Sequence, residues 1–371
     1  MAAQENAIEL KNITKRFGSV VANDKVSLTV KKGEILSILG ENGSGKTTLM
    51  NMLSGIYFPD DGEIYVNGKE VTIASPKDSF ALGIGMIHQH FKLVDILTAA
   101  ENIILGLPGK EVLKMDEVRK KIKGLVDKYG FEIDPDQKIY EMSVSQKQTV
   151  EIIKVLYRGA NILILDEPTA VLTPQETEKL FAVLRNMRAD GRSIIIITHK
   201  LHEVLSLSDR VAILRKGSYI GTVETKDATS ESLTEMMVGQ KVDLDIKRSA
   251  PKNLTRRLLV QDLTCVNQES IMTLNHATFS AYGGEILGIA GVAGSGQKEL
   301  LEAIAGLERT TEGSVMYYPP DGIGIDLATK DATEIRNLGI HLSFVPEDRL
   351  GMGLVGSMDI TDNMMLRGYN N

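Results

Sequence analysis

A repeated segment bounded by glycines places the strongest constraint on the fold of this chain. Gly33-Glu-Ile-Leu-Ser-Ile-Leu-Gly40 recurs 251 residues later as Gly284-Glu-Ile-Leu-Gly-Ile-Ala-Gly291. The register continues without a gap through the Gly-Ser-Gly triplets at 43–45 and 294–296. Such self-similarity at a fixed spacing indicates two copies of one domain within the 371 residues.

The two copies differ in length. The first is predicted to cover residues 1–240 and the second residues 257–371. Residues 241–256 are charged, include Pro251 and lack an apolar period, which is typical of a linker. Because the second copy is much shorter than the first, we expect an incomplete second domain and a C-terminally truncated sequence.

Apolar runs alternate with helical segments in the first copy. Buried strands are predicted at 34–39, 84–88, 162–165 and 193–197. Helices are predicted at 47–54 and 174–188, the second with Thr173 as its N-cap and Pro174 in its first position. This alternation predicts an α/β fold with a largely parallel sheet.

The first copy carries a phosphate-binding pattern between a predicted strand and a predicted helix. Gly40-Glu-Asn-Gly-Ser-Gly-Lys46-Thr47 fits G-x-x-x-x-G-K-[ST]. Its glycines let backbone N–H groups surround phosphate oxygens, and the helix N-terminus adds a positive dipole end. Lys46 is expected to reach the β- and γ-phosphates, and the Thr47 hydroxyl to ligate Mg²⁺. The predicted nucleotide-binding residues here are Gly40, Glu41, Asn42, Gly43, Ser44, Gly45, Lys46, Thr47 and Thr48.

Two carboxylates end the predicted strand at 162–165. Asp166 is predicted to bind the nucleotide by holding Mg²⁺, directly or through water. Glu167 is predicted to polarise an attacking water. Next to a phosphate-binding loop, this acidic pair indicates hydrolysis of a nucleotide.

Three further side chains are candidates for the same site. His199 is predicted to hydrogen-bond the γ-phosphate or the water, and Gln89 to reach Mg²⁺ and the water. Phe17, about 23 residues before the loop, is predicted to stack on a purine ring. Taken singly, each is also compatible with ordinary surface or core.

The loop of the second copy keeps its glycines but changes its chemistry. Gln297 stands at the lysine position and Lys298 at the hydroxyl position. Fast hydrolysis is not expected there, because neutralising phosphate charge is most of the catalysis. Nucleotide binding by backbone amides and a purely structural turn both remain open.

Together these residues resemble an ABC-type ATPase, and the resemblance extends to a signature segment at 143–146 and a D-loop at 170–173. It implies an α/β fold of tandem ABC-type P-loop ATPase domains. Each has a mainly parallel sheet core, an antiparallel β subdomain and a helical signature subdomain. In that family ATP, with Mg²⁺, lies between the P-loop of one domain and the signature helix of another.

The tandem layout is similar to the ATP-binding subunits of monosaccharide and nucleoside importers. Two features carry this similarity. The second loop has Gln297 at its lysine position, and residues 345–349 stand in place of a second Q-loop. The stretches 88–95, 100–106 and 167–175 resemble the nucleoside branch. The implied activity is hydrolysis of ATP to ADP and phosphate that drives nucleoside uptake. The alternatives are a monosaccharide importer ATPase, an ATP-binding fragment without turnover, and a soluble ABC switch on ribosomes or DNA.

The resemblance also implies partners and a location. Two transmembrane permease subunits are expected, with Phe91, Leu93 and Val94 either contacting them or covering the domain's own core. A substrate-binding protein outside the membrane would act indirectly, and the chain would lie peripherally on the cytoplasmic face. No nucleic-acid partner is expected at a net charge of −7, and pairing with a second copy is left open.

Two departures from the family pattern concern the signature. Ser145 replaces the usual glycine, and its Cβ is expected to crowd a phosphate or to block a positive φ. By the repeat spacing, a second signature would fall at about residue 399 and a second acidic motif at about residue 422, beyond Asn371. The first loop therefore needs a signature from a longer chain of about 496 residues, or from a partner chain.

Overall fold

The computed structural model describes residues 5–88, 91–107, 114–240, 254–266, 271–291, 294–320, 322–346 and 349–366. The chain divides into two compact units, unit 1 (residues 1–246) and unit 2 (residues 247–371). The predicted linker lies outside the described residues up to 253, and its last residue, Arg256, begins a strand. The predicted domain bounds stay a prediction.

Unit 1 alternates strands and helices. Its strands are β1 (Asn6–Phe17), β2 (Val20–Lys31), β3 (Ile35–Leu39), β4 (Asp61–Val66), β5 (Lys69–Val71), β6 (Ile84–Ile87), β7 (Ile162–Asp166), β8 (Ser193–Thr198), β9 (Arg210–Arg215) and β10 (Ser218–Glu224). Its helices are α1 (Lys46–Leu53), α2 (Pro76–Ala81), α3 (Ala99–Ile104), α4 (Met115–Tyr129), α5 (Val144–Tyr157), α6 (Pro174–Ala189), α7 (Leu201–Leu207) and α8 (Ser230–Val238), with 3₁₀ turns at Ile139–Glu141 and Thr225–Asp227.

The central sheet of unit 1 is mainly parallel, with strand order β10-β9-β3-β8-β7-β6. Strands β6, β7, β8, β3 and β9 run parallel, and β10 is antiparallel to β9. Ile194 and Ile196 of β8 join the core on one face, whereas Ile195 and Ile197 join the core on the other. Both faces are buried, which explains the unbroken apolar runs of these strands.

Two further layers cover this sheet. Strands β2, β1, β4 and β5 form an antiparallel sheet whose apolar residues share a core with α1. Helices α3, α4 and α5 pack with α6 on the opposite face, through residues that include Ile103, Ile122 and Ile153. These layers are the antiparallel β subdomain and the helical subdomain that the resemblance implied.

The predicted elements of unit 1 are present with shifts of one or two residues at their ends. The strand predicted at 84–88 ends at Ile87, and the strand predicted at 162–165 extends to Asp166. The Thr173 side chain caps α6, and Glu176 completes the capping box.

Unit 2 repeats the start of unit 1. It contains β11 (Arg256–Val266), β12 (Met272–Tyr282), α9 (Gln297–Ile304), β13 (Thr310–Tyr317), β14 (Ile325–Asp326), α10 (Ala332–Asn337), a π turn at Arg349–Gly353 and α11 (Ile360–Met365). Its antiparallel sheet has the order β12-β11-β13-β14. Helix α9 begins 251 residues after α1, the spacing of the sequence repeat, so the tandem architecture is confirmed.

One segment of unit 2 departs from the repeat. Its counterpart of β3, residues 285–290, forms no strand, and Ile286 is fully exposed where Ile35 is buried. In unit 1, β3 is buried because β8 and β9 pair with its two edges. Within the described part of unit 2, no strand pairs with this segment.

Across the described ranges, every helix is too short or too polar to cross a bilayer.

We predict that Tyr129→Phe destabilises unit 1. The Tyr129 ring is buried, and its hydroxyl donates to Asp190 Oδ2 at 2.7 Å and accepts from Arg192 Nε at 2.9 Å. Hydrogen bonds to charged groups contribute about 1.5–3 kcal/mol, so urea denaturation should give a free energy of unfolding lower by about that amount. Tyr140→Phe, which removes a hydroxyl from an exposed ring, is the matched control and should change it little.

The same cluster predicts a pH dependence. Hydrogen bonds from Lys128 and Tyr129 lower the pKa of Asp190. A carboxyl with a lowered folded pKa stabilises the fold above its unfolded pKa and loses that contribution as pH falls through the folded value. The stability difference between wild type and Tyr129→Phe should therefore shrink in acid. An equal difference at every pH would contradict this assignment.

Candidate functional site

The candidate site lies at one edge of the central sheet. Strands β3, β7 and β8 are parallel and in register, with Leu39 beside Thr198 and Asp166 beside Ile197. Their carboxyl ends therefore meet at one edge. The loop at 40–47 follows β3, Glu167 follows β7 and His199 follows β8, so the sheet brings the predicted residues together.

The loop after β3 needs glycine at several positions. Gly43 and Gly45 have positive φ angles of 80° and 93°, which other residues rarely adopt. A Cβ on Gly45 would also lie 2.3 Å from the Ala22 carbonyl oxygen, and one on Gly40 would lie 2.3 Å from that of Leu214. The loop backbone therefore packs tightly against β2 and β9, and α1 begins directly after Gly45.

The Lys46 side chain is buried inside this loop. Its Nζ donates to the carbonyl oxygens of Gly40 at 2.7 Å and Glu41 at 2.8 Å. Burial lowers the pKa of Lys46, whereas the charges of Glu167, Asp166 and Glu41 favour its protonated form. The loop thus holds a buried ammonium group near the carboxylates of Asp166 and Glu167, where it can bind an anion.

Thr47 and Asp166 are paired across the sheet edge. The Thr47 hydroxyl donates to Asp166 Oδ2 at 3.1 Å. Burial raises the pKa of Asp166, and the Thr47 hydrogen bond opposes that rise. A hydroxyl and a carboxylate so close together form the hard-oxygen donor set that Mg²⁺ prefers. These two residues fit the predicted metal site.

Glu167 and His199 form the second pair. Glu167 Oε1 lies 2.9 Å from His199 Nδ1. Glu167 adopts a left-handed φ of 47°, and its N–H donates to the Ile197 carbonyl oxygen at 2.9 Å. The structure thus joins these two predicted catalytic side chains directly.

A cavity of about 410 Å³ opens above the loop. It is lined by Val20, Val21, Ala22, Asn42, Gly43, Ser44, Gly45, Lys46, Thr47, Thr48, Asp166 and Glu167. Among the described residues, the buried Ser44 Oγ and Asn23 Oδ1 have no hydrogen-bond partner. A buried hydroxyl without a partner beside a buried ammonium fits a phosphate group that would accept hydrogen bonds from both.

Four predicted residues lie elsewhere than on this cavity lining. Gly40 and Glu41 contribute carbonyl oxygens to Lys46, and His199 reaches the cavity only through Glu167. Phe17 ends β1, is 43% exposed and contacts the Tyr57 ring edge-on, with centroids 5.2 Å apart. Gln89 lies outside the described residues, so its role stays a prediction.

The β2 side of the cavity was not predicted from the sequence. Residues 20–22 line it, and Asn23 Nδ2 donates to the Gly45 carbonyl oxygen at 3.2 Å. These residues lie in an ordinary strand sequence with no motif spacing. Only the tertiary fold places β2 against the loop.

The signature segment corrects one expectation. Ser143 is the N-cap of α5 and forms a capping box with Gln146. Ser145 lies inside α5 and does not have a positive φ. The idea that its Cβ blocks a required positive φ was therefore wrong, because a helical position accepts any L-residue without that strain.

The second loop has the same left-handed N-cap glycine as the first but no lysine at the corresponding position. Gly296, the N-cap of α9, has a φ of 87° against 93° at Gly45. Gln297 Nε2 donates to the Ile289 carbonyl oxygen at 2.8 Å, in the segment before the loop, whereas Lys46 donates to carbonyl oxygens of its own loop. Val292 and Ala293 lie outside the described residues.

A parallel sheet with this loop and acidic pair defines a P-loop nucleotide-binding protein. Residues 23–170 match the family model described as ABC transporter. A nucleoside import ATP-binding protein, NupA of Lactococcus lactis subsp. cremoris, is 45% identical over 99% of this chain and 72% of its own length. A ribose import ATP-binding protein, RbsA 1 of Streptomyces avermitilis, is 38% identical over 99% of this chain and 68% of its own length.

A solved structure gives the same result for the fold. The ADP conformation of MJ1267, an ATP-binding cassette of an ABC transporter, superposes with a TM-score of 0.56 at 28% identity. The match covers 65% of this chain and 97% of that one. This chain therefore belongs to the ABC transporter family of ATP-binding proteins, as the motifs predicted.

We predict that Gly45→Ala weakens nucleotide binding much more than Gly43→Ala. Both substitutions strain a positive φ, but only the Cβ at position 45 meets backbone, whereas position 43 faces open space. We expect an additional loss of about tenfold in affinity for Gly45→Ala, equivalent to about 1.4 kcal/mol. Titration with a fluorescent ATP analogue measures it, and equal affinities in the two variants would contradict the close packing against Ala22.

Proposed function

We propose that this chain binds MgATP at the first loop and is the ATP-hydrolysing subunit of an ABC importer for a nucleoside. One observation carries the proposal. The side chains of Lys46, Thr47, Asp166 and Glu167 line one cavity, and His199 contacts the last of them. Their chemistry is that of ATP hydrolysis, and their grouping around one cavity supports the proposal.

Each residue of the site has a distinct proposed role. Lys46 exchanges its carbonyl partners for β- and γ-phosphate oxygens, while backbone N–H groups of the loop and α1 bind the remaining oxygens. Thr47 and Asp166 would hold Mg²⁺, which neutralises phosphate charge when bound. Glu167 accepts a proton from the attacking water, and His199 fixes the orientation of that carboxylate.

The nucleoside assignment rests on similarity. The nucleoside import relative is 45% identical, whereas the ribose import relative is 38% identical over the same share of the chain. The stretches at 88–95, 100–106 and 167–175 point to the same branch. A monosaccharide importer ATPase remains the second candidate because its relatives also align along nearly the whole chain.

The permease contact is proposed on the segment after β6. Leu93 packs against the domain's own core, and Phe91 is half-buried. Val94 and Ile96 are exposed, the latter by 73%, as is Tyr140, whose N–H donates to the Asp95 carbonyl oxygen. This apolar patch suits contact with a helix of one of two permease subunits, which would hold the chain peripherally at the cytoplasmic face. A substrate-binding protein would act through them, and nucleic acid has no part.

The two loops are proposed to be unequal. The first has its cation and Mg²⁺ ligands, whereas Gln297 leaves the second without a cation at the lysine position. Productive closure of the first loop needs a signature segment from outside unit 1. A second domain or another chain would supply it.

We expect Glu167→Gln to keep ATP affinity and to lose turnover. An amide cannot accept the proton from water, and removing a general base costs about 10²–10⁴-fold in rate. Lys46-dependent release of phosphate measures turnover in the assembled importer, and ATP-analogue titration measures binding. Glu178→Gln, the same change on the exposed face of α6, is the control and should hydrolyse ATP normally. Wild-type turnover in Glu167→Gln would refute the assigned role.

The substrate class has its own test. In vesicles that contain the chain with its permease subunits and binding protein, we expect ATP-dependent uptake of a labelled purine nucleoside. The Lys46→Ala variant, which cannot bind the phosphates, should abolish it. Uptake of ribose but not of nucleoside would favour the monosaccharide alternative.

A further inference from the structure

A buried carboxylate lies between the two segments that carry Glu167 and His199. Glu203, in the first turn of α7, is only 4% exposed. It does not line the cavity, and no motif marks it. A buried charge is costly unless partners compensate it, so its contacts indicate what it does.

The contacts of Glu203 join two loops. Its Oε2 accepts from Thr169 Oγ1 at 2.7 Å and from Thr198 Oγ1 at 3.4 Å. Its Oε1 pairs with Lys200 Nζ at 3.1 Å. Thr169 comes two residues after Glu167, and the other two flank His199. One side chain thus connects the segment that follows β7 to the segment that follows β8.

The segment after β7 needs such support. Glu167 has a φ of 47° and directly precedes Pro168, although left-handed backbone is strained for any residue with a Cβ and a following proline restricts it further. A strained conformation at a functional position persists only when its surroundings fix it.

Two further contacts fix the same segment. Lys200 Nζ donates to the Thr169 carbonyl oxygen at 2.8 Å. Gln148 of α5 donates to the Pro168 carbonyl oxygen at 2.7 Å and is itself buried. The residues that follow Glu167 are therefore held from α5, from the segment after β8 and from α7.

We infer that Glu203 is a positioning residue: through Thr169 and Lys200 it holds Glu167 in its left-handed conformation and keeps its carboxylate on His199 Nδ1. The inference rests on the proposed function, because it gives Glu203 a part in aligning the proposed base. It also predicts a property of the nucleotide-free chain, namely a His199 ring that carries its proton on Nδ1.

Imidazole ¹⁵N NMR of the full chain at one fixed pH tests this directly. His199→Gln assigns the signal among the six histidines. We expect wild type to show the Nδ1–H form, and Thr169→Val to shift both ring nitrogens toward averaged values. Thr169→Ser, which keeps the hydroxyl, should restore the wild-type signal. Glu203→Leu should reproduce the effect of Thr169→Val, and the double variant should add little.

A matched control separates positioning from stability. Glu34 is an equally buried carboxylate paired with Arg210 at 3.2 Å, at the other end of β3. Glu34→Leu should lower the melting temperature without moving the His199 signal. If Glu203→Leu does not fold, Thr169→Val and Thr169→Ser still decide the matter. An unchanged His199 signal in folded Thr169→Val would overturn the inference.

The kinetic consequence is distinguishable from failure of the proposed function. In the assembled importer we expect Thr169→Val to lower kcat about tenfold with little change in KM, and Thr169→Ser to recover it. If wild type and Lys46→Ala hydrolyse ATP equally, the proposed function fails, while the NMR result still decides the positioning. A normal kcat in Thr169→Val would overturn the kinetic role of Glu203.

Discussion

The register of three parallel strands is the constraint on which the site depends. Because β3, β7 and β8 pair in register and end at one edge, the segments that follow them meet there. Burial on both faces leaves these strands little freedom to slip. Lys46, Asp166 and Glu167 then line one cavity, and His199, which follows β8, contacts Glu167.

Unit 2 has the corresponding N-cap glycine and helix, but no parallel sheet is described beside them. Helix α9 and the left-handed Gly296 reproduce α1 and Gly45 closely. The segment before the loop is not a strand, however, and its isoleucines are exposed. The left-handed glycine at the helix N-terminus is thus a local feature that the two units share. The cation and carboxylates that would make it reactive depend on residue identity and on neighbouring strands.

Local patterns predicted the parts of the molecule that depend on local physics. The apolar runs of β3, β7 and β8, the Thr173 cap and the glycine-rich loop all follow from short stretches of sequence. Ser145 shows the limit of analogy, because its conformation depends on where α5 begins, which the Ser143 cap determines. The sequence could not identify the supporting roles of Asn23, Gln148 and Glu203. Each of them acts through burial or through contacts with residues at least 20 positions away in the chain.

The first loop is proposed as the high-affinity ATP site, because it has the lysine and the Mg²⁺ ligands that the second loop lacks, and the stoichiometry of binding measures this. Equilibrium dialysis of the chain with labelled ATP and Mg²⁺ should give one ATP per chain. Binding should disappear in Lys46→Ala and remain at one in Gln297→Ala. Two nucleotides bound with equal affinity in wild type, or one that survives Lys46→Ala, would contradict this assignment.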